Sequence, residues 1–157
     1  MRRQEREVIG RENLEAILKE CRVMRCAFVD REGLYIVPVN FGYAYADGGL
    51  ELYFHGARTG RKAEAAAGGP IEAAFEMDCE HELVTGAEAC RYSYLYASII
   101  GQGTLSIMAD PEEAAAAMNI LMEQQAGKPV PVSAFMLSAC YVYRICVSSY
   151  TGKKHSR

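Results

Sequence analysis

The 157-residue sequence has no tryptophan and no run of apolar residues long enough to cross a bilayer. It also lacks a Gly-x-Ser-x-Gly element, a P-loop, and a Gly-x-Gly-x-x-Gly stretch after an opening strand. The usual signatures of serine hydrolases, nucleoside triphosphatases and Rossmann dehydrogenases are therefore missing. Positive charge does not predominate, since 17 lysines and arginines stand against 20 aspartates and glutamates, a net charge of −3. This balance argues against a nucleic-acid partner.

The six cysteines form no Cys-x-x-Cys pair, and several lie in apolar, strand-like runs. No apolar signal segment follows the basic N-terminus, so we expect a cytoplasmic protein with reduced thiols and no membrane association. Cys79, His81 and Cys90 are residue types that bind metals. Their spacing fits no structural zinc pattern, and we predict no metal site.

Composition is even along the chain, so residues 1–157 are predicted to form one domain. Apolar and β-branched runs predict strands at 23–30, 34–43, 50–55, 71–78, 94–108 and 140–150. Helical spacing and capping residues predict helices at 11–21, at 59–67, and from Pro111 to about Gly127. This order favours a small, mostly antiparallel barrel with helices packed outside it.

The segment "LYFHGARTGRK", residues 52–62, runs from a predicted strand into the start of a predicted helix. First-turn amides favour anions, and Arg61 and Lys62 could bind a phosphate there. Lysine and arginine in a first turn are, however, more often simply solvated. His55 is equally open to two interpretations, a hydrogen-bonded rim residue or a functional imidazole. The residues alone leave both questions open.

Four segments in order, "VPVNFGY", "LYFHGARTGRK", "YASIIGQGTL" and "TGKK", resemble the pattern of the 5-nitroimidazole resistance (Nim) proteins. These proteins lie within the pyridoxamine 5'-phosphate oxidase-like, FMN-binding split-barrel superfamily, and the resemblance covers nearly the whole chain. It implies a mainly β fold, a six-stranded antiparallel split β-barrel with peripheral helices. It also implies a homodimer with FMN bound at two sites across the subunit interface.

The resemblance assigns expected cofactor contacts by position. The strand that meets the isoalloxazine ring corresponds to Val37, Pro38, Val39 and Asn40, and the segment beside the flavin to His55, Gly56 and Ala57. Arg61 and Lys62 match the phosphate-binding position, and Ser98, Ile99 and Ile100 match a later strand that approaches the cofactor. His55 matches the histidine regarded as functional in the Nim group. Without tryptophan, only tyrosine or phenylalanine could stack on the ring.

The tail "TGKKHSR" has two interpretations, a solvated end or a segment whose Lys153 and Lys154 return to the cofactor phosphate or partner subunit. The expected function is an FMN-dependent oxidoreductase that reduces nitro-aromatic or other small electron acceptors. The alternative is a flavin- or haem-binding carrier or sensor without turnover, because a fold does not determine its chemistry. A pyridoxamine phosphate oxidase proper is disfavoured, since the chain is short and has few basic residues near its end beyond "GKK".

Overall fold

The alternating apolar patterns form one curved sheet in the computed structural model, which describes residues 3–46 and 48–156. The strands of these residues are β1 (Glu7–Val8), β2 (Val23–Asp30), β3 (Gly33–Asn40), β4 (Gly42–Ala46), β5 (Gly49–Ala57), β6 (Ile71–Val84), β7 (Ser93–Ile107) and β8 (Cys140–His155). The helices are α1 (Arg11–Glu20), α2 (Arg61–Ala67) and α3 (Pro111–Ala126), with short 3-10 turns at Gln4–Arg6, Ala89–Arg91 and Ala134–Ala139.

Every strand pairing is antiparallel, and the strand order is β3-β2-β6-β7-β8-β5-β4, with β1 added alongside β8. The two outer strands, β3 and β4, follow one another in the chain and are joined at Phe41, which is fully buried. The two edge strands of the sheet, β3 and β4, are therefore connected by a bend of the chain and not by backbone hydrogen bonds between them. The predicted mainly β, antiparallel split barrel with peripheral helices is confirmed.

The described residues form eight strands where the sequence predicted six. The single strand predicted at 34–43 is interrupted, because Phe41 turns into the core between β3 and β4. Strand β1 has only two residues, which is too short for an alternation pattern to reveal. The tail is not a solvated end up to His155, since it continues β8 and Lys153 pairs with both Ser98 and Glu7.

The core fills the inner face of the sheet, where Met24, Cys26 and Phe28 of β2 alternate with outward residues. Helix α3 begins as its sequence predicts, because the Asp110 carboxylate accepts from the amides of Glu112 and Glu113, both at 2.9 Å. All six cysteines are free thiols, but only Cys21 and Cys26 are buried. None of the described helices is long and apolar enough to cross a membrane.

Candidate functional site

The Lys62 side chain folds back over the inner face of β5, next to the end of that strand. Its ammonium lies 5.1 Å from the ring centroid of Phe54 and 5.0 Å from that of Tyr143. A Cβ added to Gly56 would lie 2.5 Å from the Lys62 Nζ atom. Glycine at position 56 therefore leaves the space into which the lysine reaches, and the cationic group approaches the strand backbone closely.

Two hydrogen-bond donors without acceptors belong to the neighbouring side chains of Lys62 and Tyr143. Among the described residues, Lys62 has no ion pair and no hydrogen bond, and burial lowers the pKa of its ammonium. The Tyr143 side chain is fully buried and its hydroxyl has no hydrogen-bond partner among these residues. Burial also raises the pKa of Tyr143 to about 12, which keeps this donor protonated. Buried polar groups are normally paired, so this arrangement fits the oxygen atoms of an anionic ligand.

Arg61 points elsewhere, towards the turn between β2 and β3. Its Nε and one terminal nitrogen bind the two carboxylate oxygens of Asp30 at 2.7 and 2.8 Å. The same terminal nitrogen donates to the Gly33 carbonyl at 3.1 Å, and the guanidinium lies 4.6 Å from the Tyr35 ring centroid. Consecutive helix positions point about 100° apart, which explains why Arg61 and Lys62 reach different neighbours.

Helix α2 itself contributes less than its sequence suggested. It has only seven residues, and no side chain caps its first turn. Gly60 precedes it with φ 97°, a conformation that disfavours other residues. The predicted anion site therefore depends on the Lys62 ammonium more than on the helix dipole.

Strand β3 forms one edge of the sheet. Within the part of the chain that the structure describes, it has a ladder with β2 alone. Val37 and Val39 face the core and are half-buried, whereas Pro38 and Asn40 are exposed on the outer face. Pro38 has no amide to donate, as is tolerated on an edge strand. The free edge leaves backbone groups available to a planar polar ligand.

His55 lies on β5 opposite Val142 and is exposed. Its ring makes no hydrogen bond within residues 3–46 and 48–156. Because strand side chains alternate, the imidazole projects from the face opposite to the one covered by Lys62. Ala57 is also exposed, at the end of the strand. The predicted segment 55–57 is thus accessible, with its histidine and the neighbouring lysine on different faces.

The remaining predicted residues form a second group on β7 and β8. Ser98 and Lys153 are register partners, and Ile100 is 59% exposed, whereas Ile99 is fully buried and points into the core. Lys153 lies near one end of β8, and Val142, the partner of His55, lies near the other. One chain therefore does not bring this group to the site beside Lys62.

A family model described as pyridoxamine 5'-phosphate oxidase matches residues 10–154. The chain belongs to this family. A solved structure of a candidate 5-nitroimidazole antibiotic resistance protein from Bacteroides thetaiotaomicron is 26% identical, with 94% of this chain and 86% of that chain covered and a TM-score of 0.77.

Two more distant structures share the fold. An FAD- and haem-binding protein from Mycobacterium smegmatis is 18% identical and has a TM-score of 0.78, covering 97% of this chain and 74% of its own. A flavocytochrome from Azotobacter vinelandii is 17% identical and has a TM-score of 0.77, covering 100% and 72%. The comparison with curated proteins found no significant match.

Sequence reasoning did not single out two residues that contact the predicted cations, Asp30 at Arg61 and Tyr143 at Lys62. Asp30 ends the strand before the predicted hairpin turn, and nothing local shows that Arg61 would reach it. Tyr143 belongs to an alternating run that predicts only a strand. The lack of a partner for its hydroxyl depends on neighbours far away in the chain.

The Asp30–Arg61 pair predicts a pH dependence of stability. Arg61 holds the pKa of Asp30 below its usual value of 3.8, so the pair stabilises the fold fully above about pH 4 and this contribution is lost as pH falls through the lowered pKa. We expect Asp30→Asn to be less stable than the wild type at pH 7, and the difference to shrink in strong acid. Urea unfolding at pH 7 and pH 2.5 measures this. Glu123→Gln, at an exposed carboxylate on α3, is the control, and a gap independent of pH would contradict the prediction.

Proposed function

We propose that this protein is a homodimeric oxidoreductase that binds FMN and reduces small electron acceptors, nitro-aromatic compounds among them. The observation that carries the proposal is the pair of unpartnered donors, Lys62 and Tyr143, in a sheet whose strand β3 has a free edge. The pair of donors suits a terminal phosphate, and the free edge of β3 suits a flat ring with polar atoms on its rim. The similarity to FAD- and haem-binding proteins and to the nitroimidazole-resistance structure supports this choice.

Each group has a distinct part in the proposed reaction. Lys62 would hold the phosphate, and residues 37–40 of β3 would contact the ring. When bound, the flavin supplies one- and two-electron transfer to the acceptor. His55, exposed and without a partner among the described residues, donates a hydrogen bond or a proton to the acceptor as it is reduced. His55→Asn is therefore expected to lower turnover more than flavin affinity.

The outer face of the sheet supports the homodimer. We define the β2–β3 patch as Val29, Leu34 and Ile36, which are 65%, 86% and 64% exposed. The register places Val29 directly opposite Leu34, and Ile36 is in the next outward pair, so the three form a continuous apolar surface. The proposed occupant is a second copy of the chain, because the group of Ser98, Ile100 and Lys153 lies too far along β8 to complete a site within one chain.

Aspartate at Ile36 is expected to convert the dimer into a monomer. Placing a carboxylate in an apolar interface leaves a charge without a partner, which should weaken association by roughly 100-fold or more. Sedimentation equilibrium of the apoprotein measures the change. Ile9→Asp alters an apolar residue that is 77% exposed and lies outside the patch, and it should leave the dimer intact. A dimer of unchanged affinity in the Ile36→Asp variant would exclude this face.

The proposed function is tested by the visible spectrum of the desalted protein after reconstitution with FMN, followed by turnover. We expect a retained flavin spectrum, and acceptor-dependent oxidation of a reduced nicotinamide with nitro-aromatic or quinone acceptors. Absence of bound flavin would overturn the proposal at its first step. Retention of flavin with no turnover on any acceptor would overturn the enzymatic part and leave a binding protein.

A second candidate is a carrier or sensor that binds flavin or haem without turnover. The similarity to a protein described as binding both FAD and haem favours it, as does an exposed His55 imidazole, a common axial ligand of haem iron. The same spectrum separates the two, since haem adds a strong Soret band that His55→Asn should shift or remove.

A further inference from the structure

We infer that Arg61 is a positioning residue that holds the β2–β3 hairpin against the start of α2, and that it does not bind the flavin phosphate. The inference rests on the proposed function, and it separates the roles of two neighbouring cations that the sequence presents as one cluster. Arg61 would set the distance between β3, which lies along the ring, and Lys62, which holds the phosphate.

Two of the three guanidinium nitrogens of Arg61, Nε and one terminal nitrogen, are engaged by the protein without a ligand. Both oxygens of the Asp30 carboxylate are bound in a two-point pairing, at 2.7 and 2.8 Å. Further donation goes to the backbone carbonyls of Gly33 and Leu34, at 3.1 and 3.4 Å. The Asp30 side chain is only 9% exposed and that of Arg61 26% exposed. A guanidinium that left this position for a phosphate would leave a largely enclosed carboxylate without its cation.

The contacts of Arg61 lie at the turn between β2 and β3, so they bear on where β3 is placed relative to a ligand. Asp30 ends β2 and Gly33 begins β3, so Arg61 forms hydrogen bonds on both sides of the hairpin turn. The Tyr35 ring, one residue further along β3 than Leu34, lies beneath the guanidinium. Strand β3 pairs with β2 along its length and has no ladder on its other side within the described residues, and Arg61 adds hydrogen bonds from α2 to this end of the strand. Lys62 is the next residue of the helix, and the same contacts therefore orient its backbone.

The two roles predict different ligand selectivity, and riboflavin, which lacks the phosphate, separates them. Substitution of a residue that binds the phosphate lowers the affinity for FMN alone, whereas substitution of a positioning residue lowers the affinity for FMN and riboflavin alike. Arg61→Met and Asp30→Asn are each expected to lower the affinity for both flavins about tenfold. The factor should be the same for FMN and riboflavin within error. The visible circular dichroism of the bound flavin should change as well, because it reports ring orientation, which a loss of overall stability alone would not alter.

Exchange of the two charges provides the sharpest test. Asp30→Arg combined with Arg61→Asp restores an ion pair across the same gap but places a carboxylate on α2. Recovery of affinity for both flavins in this double variant is expected. Arg61→Lys keeps the charge but not the two-point pairing, so it should also lower the affinity for both flavins. This variant replaces Arg61→Met in the test if Arg61→Met does not fold.

Three results would overturn the inference while leaving the proposed function standing. They are a loss in Arg61→Met confined to FMN, an Asp30→Asn variant that binds FMN as well as the wild type, or a charge-exchanged protein that binds riboflavin but not FMN. A wild-type protein that binds neither flavin is a different outcome. It would remove the proposed function, and the inference with it.

Discussion

Methionine in place of Lys62 is expected to weaken FMN binding on the order of 100-fold while leaving the fold intact. The ammonium has no other anionic partner among the described residues, so its charge is available to the ligand. Methionine has a similar length and suits the neighbouring rings of Phe54 and Tyr143. The apoprotein should be at least as stable as the wild type, because the change removes a charge held in a desolvated place.

Titration of both flavins by fluorescence quenching tests this prediction. Riboflavin should bind the variant and the wild type with similar affinity, and Lys128→Met, at an exposed lysine after α3, should bind FMN normally. Undiminished FMN affinity in Lys62→Met would contradict the assignment of the phosphate site.

Lys62 also predicts how FMN affinity depends on pH. Burial lowers the pKa of this lysine from its usual 10.5, so the free protein loses the cation at a lower pH than an exposed lysine would. Affinity for FMN should therefore decline as pH rises through that lowered value, and Lys62→Met should show no such decline. Over the same range the wild-type apoprotein should gain stability, because its unfolded state binds more protons than its folded state.

Alanine at Gly42 is expected to destabilise the protein by about 3 kcal/mol, with a melting temperature lower by roughly 6–12 °C. A Cβ at this position would lie 2.5 Å from the Cα atom of Leu121 and 2.6 Å from its backbone nitrogen. The clash is with the backbone of α3, which cannot move as a flexible side chain can. Helix and strand would have to separate, and this would open the core around Leu121.

Thermal and urea unfolding measure the effect, with Gly68→Ala as the matched control. Gly68 has nothing within 4 Å of an added Cβ and a right-handed helical conformation, so alanine there should be neutral or slightly stabilising. Equal melting temperatures for the two variants would show that α3 does not lie against Gly42 as described.

Local pattern was sufficient for most of the framework. The apolar and β-branched runs predicted strands β2, β3 and β5, because that composition and its alternation are local properties of the sequence. The capping aspartate and proline predicted the start of α3, since those interactions lie within one turn. The break at Phe41 and the short β1 were not predictable in this way, because they depend on what the core and β8 offer to those residues.

The candidate site shows the same division more sharply. The composition of 52–62 shows its positive charge without any structure, and the residue types alone left open whether the segment is an anion site or a solvated turn. Only the tertiary structure separated Arg61, paired with Asp30, from Lys62, which lies in the barrel without a partner among the described residues. Likewise, the resemblance assigned His55 and Lys153 to the same cofactor, whereas in the fold Lys153 and the β8 partner of His55, Val142, lie near opposite ends of β8. The physical reason is that a side chain's partner is chosen by contacts between segments distant in the chain, and local periodicity carries no information about them.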